Sequence, residues 1–239
     1  VSFLMKLSYI GSDRVIANSF DTKKDLLKFK IAPEKKIVVI GNPVLSDKIK
    51  EKINEKVVHK WLSSNKKYKV IINVGRLHYQ KNQKHLIRAF KNVHLKIPQS
   101  RLLIIGEGPE KKKLISLAND LGIEKYIDIL SFVNNPYPYY SKSDIFVLTS
   151  RWEGFGNVIV EAMASRVPVI SVDYPGGPSM ILEDGIYGVL VGQRDVDLLS
   201  KSIIDTMGLD NNSVIDSAEL HVKKYSLSII AEKYLKTVI

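Results

Sequence analysis

The chain has no cysteine among its 239 residues. That excludes disulfides and thiolate metal sites, and it fits a reducing compartment such as the cytosol. No apolar run approaches the roughly 18–20 residues that would span a bilayer. The opening stretch VSFLMKLSYIGSDRVIANS has too short an apolar part and no small-residue cleavage site, so it does not read as a signal peptide. Acidic residues are in deficit: 25 Asp and Glu against 36 Lys and Arg leave a formal charge of +11. The lysines concentrate at 23–36, 48–69 and 111–113 but form no aromatic-interleaved basic stripe and carry no RNA-binding signature, so nucleic acid is not an expected partner. Two readings of the basic excess stay open. One is an anionic membrane surface, worth about 1 kcal/mol per basic residue near the lipid; the other is a solvated Lys-rich face. There is no internal repeat and no low-complexity segment.

What is present, 45% apolar and 26% charged residues, is enough for one large globular core. Short apolar strands are expected at 15–19 and 37–40 around a helix at 21–30, followed by a polar, Lys-heavy connection to residue 68. From there strands at 69–74, 101–106, 126–131, 144–148, 167–172 and 188–191 alternate with helices at 82–97, 109–121, 136–142, 156–165, 178–183 and 195–208. A last helix is expected at 226–238. Alternation of this kind predicts βαβ units and a doubly wound parallel sheet over residues 43–225, with strands buried on both faces. In such sheets ligands bind beyond the carboxyl ends of the strands.

The segments that leave those ends carry the chemistry. After the strand at 69–74 come Gly75, Arg76 and, five residues on from Arg76, Lys81; two cations there can flank a diphosphate or stand solvated. After 101–106 come Gly106, Glu107 and Gly108, and after 126–131 come Phe132, Val133 and two asparagines. After 144–148 comes Glu153-Gly154-Phe155-Gly156-Asn157, with Glu161 inside the apolar helix that follows; after 167–172 comes the loop Tyr174-Pro175-Gly176-Gly177-Pro178. Gly154 to Asn157 at a helix mouth can offer N–H donors and the positive dipole end to an anion; a plain cap by Asn157 is the alternative. Glu161 lies one turn in, within an apolar segment that predicts burial nearly all round. Its carboxylate tilts back toward the same mouth, where it can accept hydrogen bonds from sugar or ribose hydroxyls. Asp195-Val196-Asp197 spells DxD, but at the start of a helix its acidity suits the dipole better than a metal.

The motifs NVGRLHYQKNQKHLIRAF, LLIIGEGPEKKKL and DIFVLTSRWEGFGNVIVEAMASRVPVISVDYPGGPSMILEDGIYGVLV, in this order, resemble the retaining family 4 (group 1) glycosyltransferases of the GT-B fold. The resemblance covers residues 12–239 and lies with bacterial enzymes acting on lipid-linked or capsular polysaccharide intermediates. It implies a Rossmann-like α/β donor domain at 43–225, with residues 1–42 as the tail of an N-terminal acceptor domain and 226–239 as a helix crossing back toward it. The implied substrates are a nucleotide sugar, UDP-linked, and a glycan or lipid-linked acceptor. The implied location is the cytoplasm, at the inner face of the membrane. In this frame Arg76 and Lys81 neutralise the diphosphate leaving group in place of a metal, and Glu161 holds the ribose. Glu153 and the backbone of Gly154, Phe155, Gly156 and Asn157 hold the sugar. Phe132 and Val133 border the base, and Gly75 and Gly106 bring backbone close to the nucleotide. Two positions depart from the family: Met180 stands where Glu is usual, and Arg166 where Gly is usual. Because the chain matches only the tail of the acceptor domain and opens on Val, it reads as a donor-binding half that needs an N-terminal partner. A non-catalytic nucleotide-sugar-binding module is the alternative.

Overall fold

The computed structural model describes residues 6–9, 11–63, 67–174, 176–193 and 195–238. Pro175 of the glycine loop, Arg194 of the turn before the DxD and the first five residues lie outside that set. Eight named strands form two parallel sheets. The smaller pairs β1 (Val15–Ala17) with β2 (Ile37–Val39) around helix α1 (Phe20–Lys28). It has its own apolar cluster of Val15, Ala17, Ala32 and Ile37. Ser19 starts α1 as its N-cap, its hydroxyl accepting from Thr22 N at 3.1 Å.

The larger sheet holds β3 (Lys69–Val74), β4 (Ser100–Ile105), β5 (Ile127–Leu130), β6 (Ile145–Leu148), β7 (Val169–Val172) and β8 (Val189–Val191), in the spatial order β5-β4-β3-β6-β7-β8. Side chains alternate across a strand, and here the alternation divides the core in two. Val70 and Ile72 of β3, with Leu103 and Ile105 of β4, join one apolar layer; Ile71, Leu102 and Ile104 join the other. Both faces are therefore covered, which is why these strands read as unbroken apolar runs. The edge strand β5 differs, since each of its residues is only half-buried.

The layers are closed by α3 (Gln83–Lys96), α4 (Lys111–Asp120), α5 (Tyr137–Lys142), α6 (Asn157–Ala164), α7 (Pro178–Leu182) and α8 (Val196–Gly208). Two helices were not legible. The polar connection contains α2 (Ile49–Ile53), a single short turn too Lys-rich to show a stripe, and α9 (Asn212–Val222) lies between the two last expected helices, where no element was assigned. Ala218 and Val222, four apart, bury the inner face of α9 against α6. The chain then enters α10 (Leu227–Val238). Residues 44–45 lie zipped to 225–227: Val44 N and Leu45 N donate to Tyr225 O at 3.0 and 3.1 Å, and Leu227 N donates to Leu45 O at 2.8 Å. Among the described residues no helix is long and apolar enough to cross a membrane.

Strand order reverses between β3 and β6: the chain winds outward through β4 and β5, returns beside β3, and winds out again through β7 and β8. A crevice is expected at that point. The segment with Arg76 and Lys81 leaves β3, and the segment with Glu153 leaves β6. Topology alone thus brings the two halves of the candidate site face to face.

Candidate functional site

Lys81 and Glu153 meet as a direct ion pair whose side chains are only 13% and 12% exposed. Ser150 Oγ donates to the same Glu153 oxygen at 2.6 Å. The loop that presents Lys81 is tied down from both sides, since Thr149 Oγ1 donates to the carbonyls of Lys81 and Asn82 at 3.1 and 3.2 Å. Arg76 is different. It is exposed, and its guanidinium has no hydrogen bond or ion pair among the described residues. Only its backbone is fixed, by Gln83 Nε2 donating to its carbonyl at 3.0 Å.

Glu161 corrects the expectation of near-total burial. Helix α6 buries Ile159, Val160, Ala162, Met163 and Ala164, while Asn157, Val158 and Glu161 share a half-exposed or exposed strip. The Tyr140 hydroxyl donates to Glu161 Oε2 at 3.1 Å, from a ring that is itself fully buried. Desolvation raises the pKa of Glu161 above the ordinary carboxylate value; the Tyr140 hydrogen bond and the charges of Lys81 and Lys52 pull it back. Tyr137 is held up to about 12 by burial first and by the Glu161 charge second. Lys81, Glu153, Glu161 and the two tyrosines therefore share one electrostatic neighbourhood. Lys52, from α2, reaches it as well and lies 5.9 Å from the centre of the Tyr137 ring.

The glycine segment behaves partly as expected. Helix α6 is capped by Gly156 (φ 108°) without any side-chain hydrogen bond, so Asn157 is not the cap; it is the first helical residue. The side-chain oxygen of Asn157 instead accepts from Asn42 Nδ2 at 2.8 Å. The first N–H groups of the helix are thus left to an anion. Phe155 places only its backbone at this rim. Its ring is 2% exposed and packs edge-on against Tyr225, 5.2 Å between centres, because a large apolar side chain gains more in the core. A Cβ on Gly154 would meet Asn18 Nδ2 at 3.2 Å, so the smaller sheet approaches this loop directly.

Gly106 has a nearer reason than a ligand to be glycine. Its backbone is left-handed (φ 153°), and a Cβ there would fall 2.0 Å from the Gly75 carbonyl oxygen. The loops after β3 and β4 lie flush only because of it. At Gly75 a Cβ would stand 3.3 Å from Lys81 Cε. Phe132 is 69% exposed, with its N–H pointed at Glu107 Oε1 (3.4 Å), and Val133 packs half-buried against the core. Both remain on the rim.

Two family departures find local explanations. Arg166 adopts the left-handed backbone (φ 61°) where glycine is usual, and its guanidinium pairs with Asp216 at 2.7 Å and Glu219 at 2.5 Å. Met180 packs its thioether against the core. Asp195 of the DxD caps α8, accepting from Leu198 N at 2.8 Å, and Asp197 accepts from Asn92 Nδ2 at 3.0 Å. Among the described residues no three His, Asp or Glu side chains are grouped as metal ligands would be. Sequence reading missed Tyr140, Ser150 and Lys52. Ser150 stands three residues before Glu153, close enough for the motif to point to it; the other two come from distant elements without a motif.

The model of the family "Glycosyl transferases group 1" matches residues 54–214. The chain is 35% identical over 177 residues to an uncharacterized glycosyltransferase of Methanocaldococcus jannaschii, covering 74% of this chain and 44% of that protein. It is 34% identical over 190 residues to the Campylobacter jejuni N-acetylgalactosamine-N,N'-diacetylbacillosaminyl-diphospho-undecaprenol 4-alpha-N-acetylgalactosaminyltransferase, covering 79% of this chain and 49% of that protein. It thus spans about half the length of these relatives. Among solved structures, Anabaena Alr3699/HepE in complex with UDP and glucose aligns with a TM-score of 0.84 at 24% identity, over 98% of this chain and 65% of that one. At that identity the likeness speaks for the fold, and it agrees with the α/β, parallel-sheet architecture expected from the sequence.

Proposed function

The chain belongs to the group 1 glycosyltransferases, and on that premise we propose that it is the donor-binding half of a retaining enzyme. It would move a hexose or N-acetylhexosamine from a UDP-sugar to a glycan or lipid-linked acceptor in cell-surface polysaccharide synthesis. The observation that carries the reading is the Lys81–Glu153 pair near an exposed Arg76 that has no ion pair among the described residues, at the switch point of the sheet. The UDP bound in the Anabaena neighbour and the lipid-linked acceptor in the name of the Campylobacter relative support the same choice of substrates.

The chemistry follows from what each group is free to do. A diphosphate entering the crevice finds Arg76 uncommitted and the uncapped start of α6 ahead of it. Lys81 is already neutralised by Glu153, so the diphosphate must share it, and Glu153 is released to accept sugar hydroxyls. Glu161, held by Tyr140 and half-buried, accepts from the ribose hydroxyls. As the bond between the anomeric carbon and the diphosphate oxygen breaks, charge grows on that oxygen. Arg76, Lys81 and the α6 N–H groups offset it without a metal. The acceptor hydroxyl forms its bond to the anomeric carbon on the face the diphosphate leaves, and its proton passes to the departing diphosphate oxygen.

In this reading β1, α1 and β2 are the tail of the acceptor domain, and full transfer needs the rest of that domain or a partner chain carrying it. An anionic membrane surface would bring a lipid-linked acceptor to the lysine clusters. Calorimetric titration with UDP-, GDP- and ADP-sugars tests the donor site. UDP-sugars are expected to bind, and Arg76→Ala to weaken binding by roughly 10- to 100-fold, the worth of a charge-assisted contact. Unchanged affinity in both Arg76→Ala and Lys81→Ala would sink the proposal. Nucleotide-sugar binding with no transfer, even with the missing half supplied, would favour a non-catalytic binding module.

A further inference from the structure

The segments that carry Lys81 and Glu153 are joined by more than that ion pair. The ladder between β3 and β6 stops at the pairs Ile71 with Ile145 and Ile72 with Phe146. The Val147 carbonyl, next along β6, takes a side-chain donor instead, Asn73 Nδ2 at 2.7 Å. The loop then turns toward β4: Gly75 N donates to Ile105 O at 3.0 Å and Leu77 N to Glu107 O at 2.7 Å. Arg76 lies on this stretch.

From Tyr79 onward the loop returns, and each residue as far as Asn82 meets the segment leaving β6. The rings of Tyr79 and Trp152 stand 6.1 Å apart between centres, and the Arg151 guanidinium carbon lies 4.3 Å from the centre of the Tyr79 ring. Gln80 grips two consecutive residues. Its carbonyl accepts from Arg151 N, and its Nε2 donates to Trp152 O, both at 2.7 Å. Lys81 then meets Glu153, the next residue in line. Asn82 Oδ1 accepts from Arg151 Nη2 at 3.0 Å, and the buried Thr149 hydroxyl closes the far end on the carbonyls of Lys81 and Asn82.

We propose that Gln80 is a positioning residue, which sets the register in which Lys81 meets Glu153 and so presents the lysine to a diphosphate; the diphosphate rests on the function proposed above. The argument is one of freedom removed. A lysine ammonium is a point charge on a flexible stem, so attraction to a carboxylate does not fix where the two chains stand. The backbone bond from Arg151 to Gln80 sets their separation, yet one bond leaves them able to pivot. The second bond, from the Gln80 side chain to the following carbonyl, removes the pivot, and Thr149 holds the same loop from behind. Lys81 and Glu153, one step further along each chain, are then brought opposite one another before any ligand arrives. Such ordering in advance is what a binding site otherwise loses affinity to achieve. Phe132, Val133 and Glu161, the groups proposed for the nucleoside, belong to other segments and do not depend on this register.

The test compares the 239-residue chain with Gln80→Met, which keeps the length and loses the donor, Thr149→Val, and Thr149→Ser, which restores a hydroxyl. Two readouts are taken. The first needs no ligand: the 1H–15N resonance of the Lys81 ammonium, assigned by its loss in Lys81→Met, which a held ion pair protects from exchange with water. It is expected in the parent and in Thr149→Ser, and it should broaden away in Gln80→Met and Thr149→Val. The second is the affinity for UDP and for uridine. UDP should bind Gln80→Met and Thr149→Val roughly 3- to 10-fold more weakly, the effect of one hydrogen bond, with uridine unchanged and Thr149→Ser close to the parent. A merely structural role would weaken both ligands alike. The inference is overturned if the ammonium resonance survives in Gln80→Met, if UDP and uridine weaken together, or if Thr149→Ser fails to rescue. A parent that binds neither ligand sinks the donor reading instead, and the ammonium resonance still decides whether Gln80 sets the register.

Discussion

Lys81→Ala should do two separable things. It removes a cation from the proposed donor crevice, and it strands Glu153. The stranded carboxylate is 12% exposed and would keep a single neutral partner, Ser150 Oγ at 2.6 Å. Removing one member of a buried ion pair costs about 3–5 kcal/mol, because the remaining charge stays desolvated. The partial exposure argues for the lower end, about 3 kcal/mol. For a chain of this size each kcal/mol shifts the melting temperature by roughly 2–4 °C, so a fall of about 6–12 °C is expected. The double variant Lys81→Met, Glu153→Gln removes both charges and should recover most of that loss. Arg76→Ala, which breaks no side-chain hydrogen bond or ion pair among the described residues, should melt within about 1–2 °C of the parent. Thermal denaturation of the four proteins, with and without UDP, separates the effects. If the buried pair governs folding, Lys81→Ala loses stability and nucleotide, Arg76→Ala loses only nucleotide, and the double variant regains stability alone. A Lys81→Ala protein that melts like the parent would refute the argument that Glu153 depends on Lys81.

Glu161 gives a pH signature. Its folded pKa is raised by desolvation above the ordinary value of 4.5, so the native state holds this proton more tightly than the unfolded chain. The associated stability is fully present below about pH 4.5 and is lost as pH rises through the folded pKa. The difference in melting temperature between Glu161→Gln and the parent should therefore move in favour of the variant from pH 4.5 to pH 7; a flat difference would count against the burial argument. Gly106→Ala must displace the Gly75 carbonyl and should lose at least the roughly 1–3 kcal/mol of an overpacked site. Gly192→Ala, with nothing within 4 Å of the new Cβ, should change stability little, and denaturant midpoints compare the two. Arg166→Ala keeps the left-handed backbone and loses two exposed ion pairs, while Arg166→Gly loses the pairs but relieves the backbone. The glycine variant should be the more stable of the two by about 1 kcal/mol in the same assay.

The fold was legible where physics is periodic. Runs such as Val70 to Val74 and Leu102 to Ile105 could only be strands covered on both faces, and the structure divides them between two layers. What stayed hidden was what periodicity cannot mark. Helix α2 is a single turn carrying lysines, and α9 has only two buried residues, so neither leaves a clear stripe. The edge position of β5 was invisible for another reason: strand order is a property of the whole sheet, and Ile127 to Leu130 looks locally like any other strand.

At the site, the sequence showed which residues share a rim but not how they pair. Lys81 and Glu153 lie 72 positions apart, and either could have faced solvent or a ligand. Their ion pair changes the meaning of both. Lys81 is not a waiting cation and Glu153 is not a waiting acceptor, since each neutralises the other; in the proposed function a diphosphate would compete for the lysine. Glu161 is committed in a different way, to Tyr140, whose hydrogen bond uses one carboxylate oxygen and leaves the other. Arg76, with no side-chain hydrogen bond or ion pair among the described residues, keeps its full capacity. The order of events follows from that difference. A nucleotide sugar should be captured first at Arg76 and the α6 mouth, and only then open the Lys81–Glu153 pair. Arg76→Ala should therefore slow association, while Lys81→Met, Glu153→Gln should leave association near parental and hasten dissociation. Stopped-flow binding of UDP distinguishes the two, and equal effects on the association rate would defeat this order.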